Sequence, residues 1–280
     1  MNNTTHWDNP LIDQRIIDVN SLHGWISRHP SFSQLPQRVL GIILHSFGVA
    51  EDIHKHDLRK DKNLYILHPI RLVTSMIQKY PDIVHPDDSI VLILHDSIED
   101  HPECWPEILR NFGLSIFRDI LILSKISASY RKDMLEWFVK NYDPNDLDVG
   151  NILQILSPVI PVIKLKKFSR YTENIHGIYA IRLKNAMTLY RVGITSRDQQ
   201  KPEALDEYIS LGNYLYFHPK DCRRKLQDMI DNMADMENME VIKPGYIEKR
   251  RIKAYILGVK LRNFNMMDEY TQLDNAFQNT

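Results

Sequence analysis

The stretch Ile93-Leu94-His95-Asp96-Ser97-Ile98-Glu99-Asp100 places a histidine and three acidic side chains within an apolar part of the chain. Burying a carboxylate is costly unless a cation or hydrogen bonds compensate it. Imidazole and carboxylate groups are ordinary ligands of Mn²⁺, Zn²⁺ and iron. The stretch therefore predicts a divalent-metal site, in which Glu99, one helical turn beyond His95, orients or deprotonates a water. A solvated helix end with a fortuitous His-Asp pair is the alternative.

The composition indicates one large or two small globular domains. The chain has 280 residues, 43% of them hydrophobic, which is enough for a sizeable core. Its formal net charge is −1, so neither a nucleic acid nor a membrane is expected as a partner. Two cysteines and the lack of a signal peptide or long apolar segment predict a cytoplasmic protein. No glycine-rich phosphate loop occurs, so side chains and helix ends must bind any phosphate.

Apolar residues recur at helical spacing through most of the chain, which predicts an all-α fold. We expect helices over about 10–26, 36–56, 69–80, a central one from 86, and 106–112, 114–121, 130–142, 171–192, 204–217, 221–239 and 246–264. Gly113 should separate two of them. The segment 143–169 contains three prolines and a β-branched run, so a loop or a short strand is expected there.

Three further patterns accompany the central stretch. Arg59-Lys60 is followed, nine residues after the arginine, by the histidine of Tyr65-Ile66-Leu67-His68-Pro69. Leu123-Ser124-Lys125-Ile126 and Ile181-Arg182-Leu183-Lys184-Asn185-Ala186-Met187-Thr188-Leu189 follow later. Together the four resemble the motifs of the HD-domain (p)ppGpp hydrolases of the RelA/SpoT homologue family, small alarmone hydrolase type. Those motifs are Arg-Lys with Tyr-Ile-x-His-Pro, then Leu-Leu-His-Asp-x-x-Glu-Asp, Val-Thr-Lys-Leu and Asp-Arg-Leu-His-Asn-x-x-Thr-Leu.

This resemblance implies an HD-type helical bundle, which we expect over residues 1–195. The residues after 190 have helical spacing without an alternating strand pattern, which predicts a helical C-terminal extension over 196–280 and no α/β synthetase domain in the chain. It implies Mn²⁺-dependent hydrolysis of the 3′-pyrophosphate of (p)ppGpp to GDP or GTP, with a guanine nucleotide as the ligand. The residues that it assigns to the site are His68, His95 and Asp96 as metal ligands, Glu99 and Asp100 at the attacking water, Arg59 and Lys60 at the pyrophosphate, and Asn185 and Thr188 at the nucleotide.

Ile181 stands where the family's fourth motif has an aspartate that binds the metal. Isoleucine cannot coordinate a metal, and losing even an outer partner of a ligand typically costs about 10–100-fold in metal affinity or activity. Three possibilities remain open: a metal held by three side chains and waters, a fourth ligand from elsewhere such as 143–169, or a degenerate scaffold that binds a nucleotide or a protein without turnover. Hydrolysis of another nucleotide is a further alternative.

Overall fold

The computed structural model describes residues 24, 27–28, 30–59, 64–80, 85–156, 213–237 and 246–278. Regular structure in these ranges is helical, apart from one isolated antiparallel bridge between Leu58 and Leu64, which confirms the all-α class. Contacts along the backbone divide the chain into two compact units, residues 1–93 and 94–280. Among the described helices, none has the length and apolar character needed to cross a membrane. The domain boundary predicted near residue 195 lies outside the described ranges.

The helices of the first unit are α1 Pro30–Ser33, α2 Gln37–His54, α3 Leu67–Lys79 and α4 Pro86–Leu94, whose last residue begins the second unit. Those of the second unit are α5 Ser97–Asp100, α6 Trp105–Leu123, α7 Ala128–Asn141, α8 Leu147–Leu156, α9 Pro219–Glu237, α10 Tyr246–Asn263 and α11 Met267–Gln278, with 3-10 turns at Pro102–Cys104 and Asn213–Tyr216. The helices predicted over 36–56, 69–80, 106–121, 130–142, 221–239 and 246–264 are confirmed. Those predicted over 10–26, 171–192 and 204–217 fall largely or wholly outside the described residues, and the described end of the last one is the 3-10 turn Asn213–Tyr216.

Helix α8 shows that the expectation of a loop or strand over 143–169 is wrong for residues 147–156. The Asp146 carboxylate begins this helix by accepting the N–H groups of Asp148 and Val149, both at 3.0 Å, which satisfies donors of the first turn. Pro144 and Pro158 lie on either side of the helix, so neither interrupts it. The buried residues recur at helical spacing and form one face of the helix: Val149, Ile152, Ile155 and Leu156.

Two residues with positive φ determine where helices bend or end. Gly113 has φ 77° and ψ 177° inside α6, a backbone region that is essentially restricted to glycine, and it separates the two halves as predicted. Asn265, with φ 58°, follows α10, and the N–H of Met266 then donates to the carbonyl of Leu261 at 2.9 Å. This left-handed cap lets α11 begin at Met267, a helix that was not predicted from the sequence.

A buried ion network fixes α9 against α6 in the second unit. The Asp119 carboxylate on α6 accepts from Lys220 Nζ at 2.6 Å and from Arg224 Nη1 at 2.8 Å, both on α9. Burial by itself would raise the pKa of Asp119, but the Arg224 and Lys220 charges, with Arg118, outweigh it and lower the pKa to about 2. The network therefore sets the position of α9, the helix that carries Asp228.

Candidate metal centre

A break between α4 and α5 brings two consecutive side chains together. In a continuous helix neighbouring side chains point about 100° apart, but α4 ends at Leu94 and α5 begins at Ser97. Asp96 Oδ1 lies 3.1 Å from His95 Nε2, and the Asp96 carboxylate does not cap α5. The expectation that His95 and Glu99 lie on one uninterrupted helix is therefore wrong, because the pair occupies the turn that joins two helices.

A second carboxylate reaches the same imidazole from α9. Asp228 Oδ1 lies 3.6 Å from His95 Nε2, and the two side chains are 7% and 1% exposed. The other Asp228 oxygen accepts from Lys225 Nζ at 2.6 Å, and Asn232 Nδ2 donates to Oδ1. One buried imidazole nitrogen thus faces two carboxylates, and one of these is oriented by two further side chains of its own helix.

The charges at this site favour a cation. Burial alone would lower the pKa of His95, but the Asp96 and Asp228 carboxylates outweigh it and raise the pKa to about 9. The two carboxylates therefore stabilise a positive charge at Nε2. A divalent ion bound by neutral imidazole and both carboxylates would balance the same negative charge. Imidazole nitrogen and carboxylate oxygen are the ligand types that Mn²⁺, iron and Zn²⁺ accept, so the chemistry of these three side chains is compatible with a divalent metal.

Glu99 is held beside this group by the turn that follows α6. Glu99 Oε2 accepts the backbone N–H of Lys125 at 2.8 Å, and Lys125 Nζ lies 3.9 Å from Oε1. Burial and then the Asp96 carboxylate raise the pKa of Glu99, although solvent moderates the effect because the side chain is 31% exposed. The hydroxyl of Ser124 donates to the carbonyl of His95 at 2.7 Å. The pattern Leu123-Ser124-Lys125-Ile126 therefore contacts the central stretch that carries His95 and Glu99.

Of the other predicted site residues, the structure describes three and leaves the rest outside the described ranges. His68 is buried at the start of α3 in the first unit, with the Tyr65 ring edge-on at 6.3 Å between centroids; its convergence with His95 and Asp96 stays a prediction. Arg59 is half-buried beside the Leu58–Leu64 bridge, and Asp100 is exposed at the end of α5. The residues that lie outside the described ranges are Lys60, Ile181, Asn185 and Thr188.

Contacts among His54, Asp57 and Tyr65 flank the segment that carries Arg59 and Lys60. His54 Nδ1 lies 2.7 Å from Asp57 Oδ2, and the His54 ring stacks on Tyr65 at 3.7 Å between centroids. The N–H of Tyr65 also donates to the Asp57 carbonyl at 3.2 Å. These contacts, all within the first unit, join the two ends of residues 58–64.

Asp228 was missed in the sequence, although a signal for it exists. Asp228-Met229-Ile230-Asp231-Asn232 carries an aspartate and an asparagine at the same four-residue interval as the family's Asp-Arg-Leu-His-Asn. Unlike the match at Ile181, this one retains the carboxylate. Lys225 and Tyr214 were also missed; burial raises the pKa of the Tyr214 phenol to about 12, so it stays neutral beside the Lys225 and Asp228 charges.

Comparisons with known proteins point to the same family. No protein-family model matches the chain. The GTP pyrophosphokinase of Myxococcus xanthus is 26% identical over 218 residues, covering 75% of this chain and 26% of that protein. The bifunctional (p)ppGpp synthase/hydrolase SpoT of Escherichia coli K12 is 24% identical over 148 residues, 53% of this chain and 20% of its own length. The guanosine-3′,5′-bis(diphosphate) 3′-pyrophosphohydrolase of Haemophilus influenzae is 24% identical over 197 residues, 70% of this chain and 25% of that enzyme.

The matched region of this chain thus spans 20–26% of the length of these relatives. The similarities support a relation between the chain and the RelA/SpoT family.

Proposed function

We propose that this chain is a divalent-metal-dependent phosphohydrolase that removes the 3′-pyrophosphate of (p)ppGpp and releases GDP or GTP. The observation that carries the proposal is the approach of two carboxylates, Asp96 at 3.1 Å and Asp228 at 3.6 Å, to the buried Nε2 of His95. Relatives named as 3′-pyrophosphohydrolases support the substrate class. In this reaction water adds to the phosphorus next to the 3′-oxygen, and that oxygen leaves as the free hydroxyl.

The proposed metal ligands are His68, His95, Asp96 and Asp228, and Mn²⁺ is the proposed ion. Bound there, a divalent ion supplies positive charge that polarises a phosphate oxygen and lowers the pKa of a water. Asp228 provides the carboxylate that Ile181 cannot, which favours the second of the three possibilities, a ligand from elsewhere in the chain. Lys225 and Asn232 keep the Asp228 carboxylate oriented, as partners behind a ligand commonly do.

Glu99 is the proposed proton acceptor for the attacking water. Its pKa is raised by burial and by Asp96, which brings it closer to the pH at which a general base works best. The Lys125 N–H holds Oε2, and Oε1, which lies 3.9 Å from Lys125 Nζ, is the oxygen proposed to accept the proton of the water. Asp100 would assist at the exposed side of the site, Arg59 and Lys60 would neutralise the pyrophosphate, and Asn185 and Thr188 would contact the nucleotide.

Hydrolysis of ppGpp in a Mn²⁺ titration tests the proposal. We expect release of GDP and pyrophosphate by the wild-type chain and loss of release in His95→Ala. A matched control is His85→Ala, because His85 also pairs with an aspartate, Asp87 at 3.3 Å, but is 70% exposed. No turnover with excess Mn²⁺ would show the proposal to be wrong, and affinity without turnover would favour the degenerate scaffold.

Two further assays separate the remaining alternatives. A panel of other nucleotides distinguishes a phosphohydrolase with a different substrate. Because the Myxococcus xanthus relative is named a pyrophosphokinase, transfer of pyrophosphate from ATP to GTP is measured in the same preparation, and we expect none.

A further inference from the structure

The turn Ser124-Lys125 contacts two different residues of the proposed site. Ser124 Oγ donates to the carbonyl of His95 at 2.7 Å, and the Lys125 N–H donates to Glu99 Oε2 at 2.8 Å. We propose that this turn, held by Asn213, is a positioning element that sets the distance between the metal ligand His95 and the proton acceptor Glu99. The roles of these two residues rest on the proposed function, whereas the contacts do not.

The Ser124 hydroxyl lies within hydrogen-bond distance of two carbonyls. Ser124 Oγ is 2.7 Å from the carbonyl of His95 and 2.8 Å from that of Ile120, which also accepts the backbone N–H of Ser124 at 3.1 Å. The two carbonyls share the single hydroxyl proton, and the His95 carbonyl belongs to neither α4 nor α5. Its orientation therefore depends on tertiary contacts, of which the bond from Ser124 is one.

Asn213 holds the turn through two side-chain hydrogen bonds. Its Nδ2 donates to the carbonyl of Leu121 at 3.2 Å and to that of Ser124 at 3.3 Å, so both amide protons are used. Asn213 and Ser124 are each 1% exposed, and hydrogen bonds this deep in the protein resist exchange with water. Asn213 also begins the 3-10 turn that leads towards α9, so one short element joins the turn to the helix that carries Asp228.

Loss of the Ser124 hydroxyl should therefore affect metal binding and catalysis as well as stability. Partners behind a metal ligand commonly change affinity or activity by about 10–100-fold when removed, and a small misplacement of a reacting group can cost a similar factor. Because Ser124 acts through the His95 backbone, we expect Ser124→Ala to lower the Mn²⁺ affinity and kcat by about tenfold each. Ser124→Thr keeps the hydroxyl, and threonine stands at this place in the family's motif, so it should restore both.

The experiment measures Mn²⁺ binding by electron paramagnetic resonance and ppGpp hydrolysis on the full chain. The variants are Ser124→Ala, Ser124→Thr and Asn213→Asp, which removes both donors to the turn. The control is Ser46→Ala, because Ser46 is equally buried and donates to the Ile43 carbonyl at 2.8 Å within α2. We expect weaker Mn²⁺ binding and lower kcat in Ser124→Ala and Asn213→Asp, and wild-type values in Ser124→Thr and in Ser46→Ala, even where its Tm falls.

Unchanged Mn²⁺ affinity and kcat in folded Ser124→Ala and Asn213→Asp would overturn the inference, even if their Tm falls. If Ser124→Ala does not fold, Asn213→Asp decides; if neither folds, the turn is a folding element and the inference is wrong. A wild-type chain that binds Mn²⁺ without hydrolysing ppGpp contradicts the proposed function alone, because the affinities of the variants still decide the inference. A wild-type chain that does not bind Mn²⁺ overturns both.

Discussion

Replacing Asp228 with asparagine tests the proposed fourth metal ligand directly. The amide keeps the shape of the side chain but removes the charge that lies 3.6 Å from His95 Nε2. Removing a side chain that hydrogen-bonds to a metal ligand typically lowers the metal affinity by about 10–100-fold, and removing a carboxylate that binds the metal itself should lower it at least as much. We therefore expect Asp228→Asn to bind Mn²⁺ at least about tenfold more weakly than the wild-type chain.

The same substitution also removes the partner of Lys225. The two side chains are 16% and 7% exposed and their charged atoms lie 2.6 Å apart. Breaking a buried pair from one side costs about 3–5 kcal/mol, whereas replacing both members by uncharged residues is often neutral. We expect a loss at the lower end of this range, because the flexible lysine can move its ammonium towards water.

The double variant Lys225→Met/Asp228→Asn separates the two effects. It leaves no uncompensated charge, so the free energy of unfolding should recover most of what Asp228→Asn lost, while the Mn²⁺ affinity should stay low. Urea denaturation measures the first quantity and isothermal titration calorimetry the second. Wild-type Mn²⁺ affinity in either variant, or a return of affinity together with stability in the double variant, would refute the assignment of Asp228 as a ligand.

Three more substitutions have definite expected outcomes. Glu99→Gln should lower kcat for ppGpp by about 10²–10⁴, the usual contribution of a general base, with Mn²⁺ affinity retained; an unchanged kcat would exclude Glu99 as the proton acceptor. The folded pKa of Asp119, about 2 against an ordinary 3.8, contributes about 2 kcal/mol of stability that is present above pH 4 and lost as the pH falls towards 2. Acid denaturation of Asp119→Asn should therefore lack this part of the pH dependence, and an identical profile would contradict the network. Gly113→Ala should lose about 1–3 kcal/mol to backbone strain, because alanine rarely adopts this φ; no atom beyond the adjacent backbone lies within 4 Å of the added carbon, so a steric clash adds nothing. Unchanged stability in urea would contradict the φ of 77°.

Helices were predictable wherever apolar spacing and end signals agreed. The Pro86 start of α4 and the interruption at Gly113 follow from local chemistry, and both are found. The helix over 147–156 is difficult to predict because Pro144 and Pro158, which flank it, indicate an irregular segment. The signal for this helix was Asp146, whose carboxylate caps it.

The part of the candidate site formed by His95, Asp96 and Glu99 could be proposed from the sequence because these residues are close neighbours in the chain. His95, Asp96 and Glu99 lie within a single short stretch, so one motif locates all three. Asp228 is brought to His95 by the packing of α9 on α6, which no local pattern encodes. Its four-residue interval to Asn232 was a usable signal, but the apolar positions around Ile181 offered a competing match.

The helix break at His95 and Asp96 has a consequence for how the centre would lose its ion on heating. These two donors are joined by a single peptide bond, so any motion of the turn carries both together. Asp228 has no such covalent tether and keeps its distance only while α9 stays docked. In the chain loaded with Mn²⁺ as proposed, loosening of α9 should therefore release the ion at a temperature where most of the helical circular dichroism signal persists.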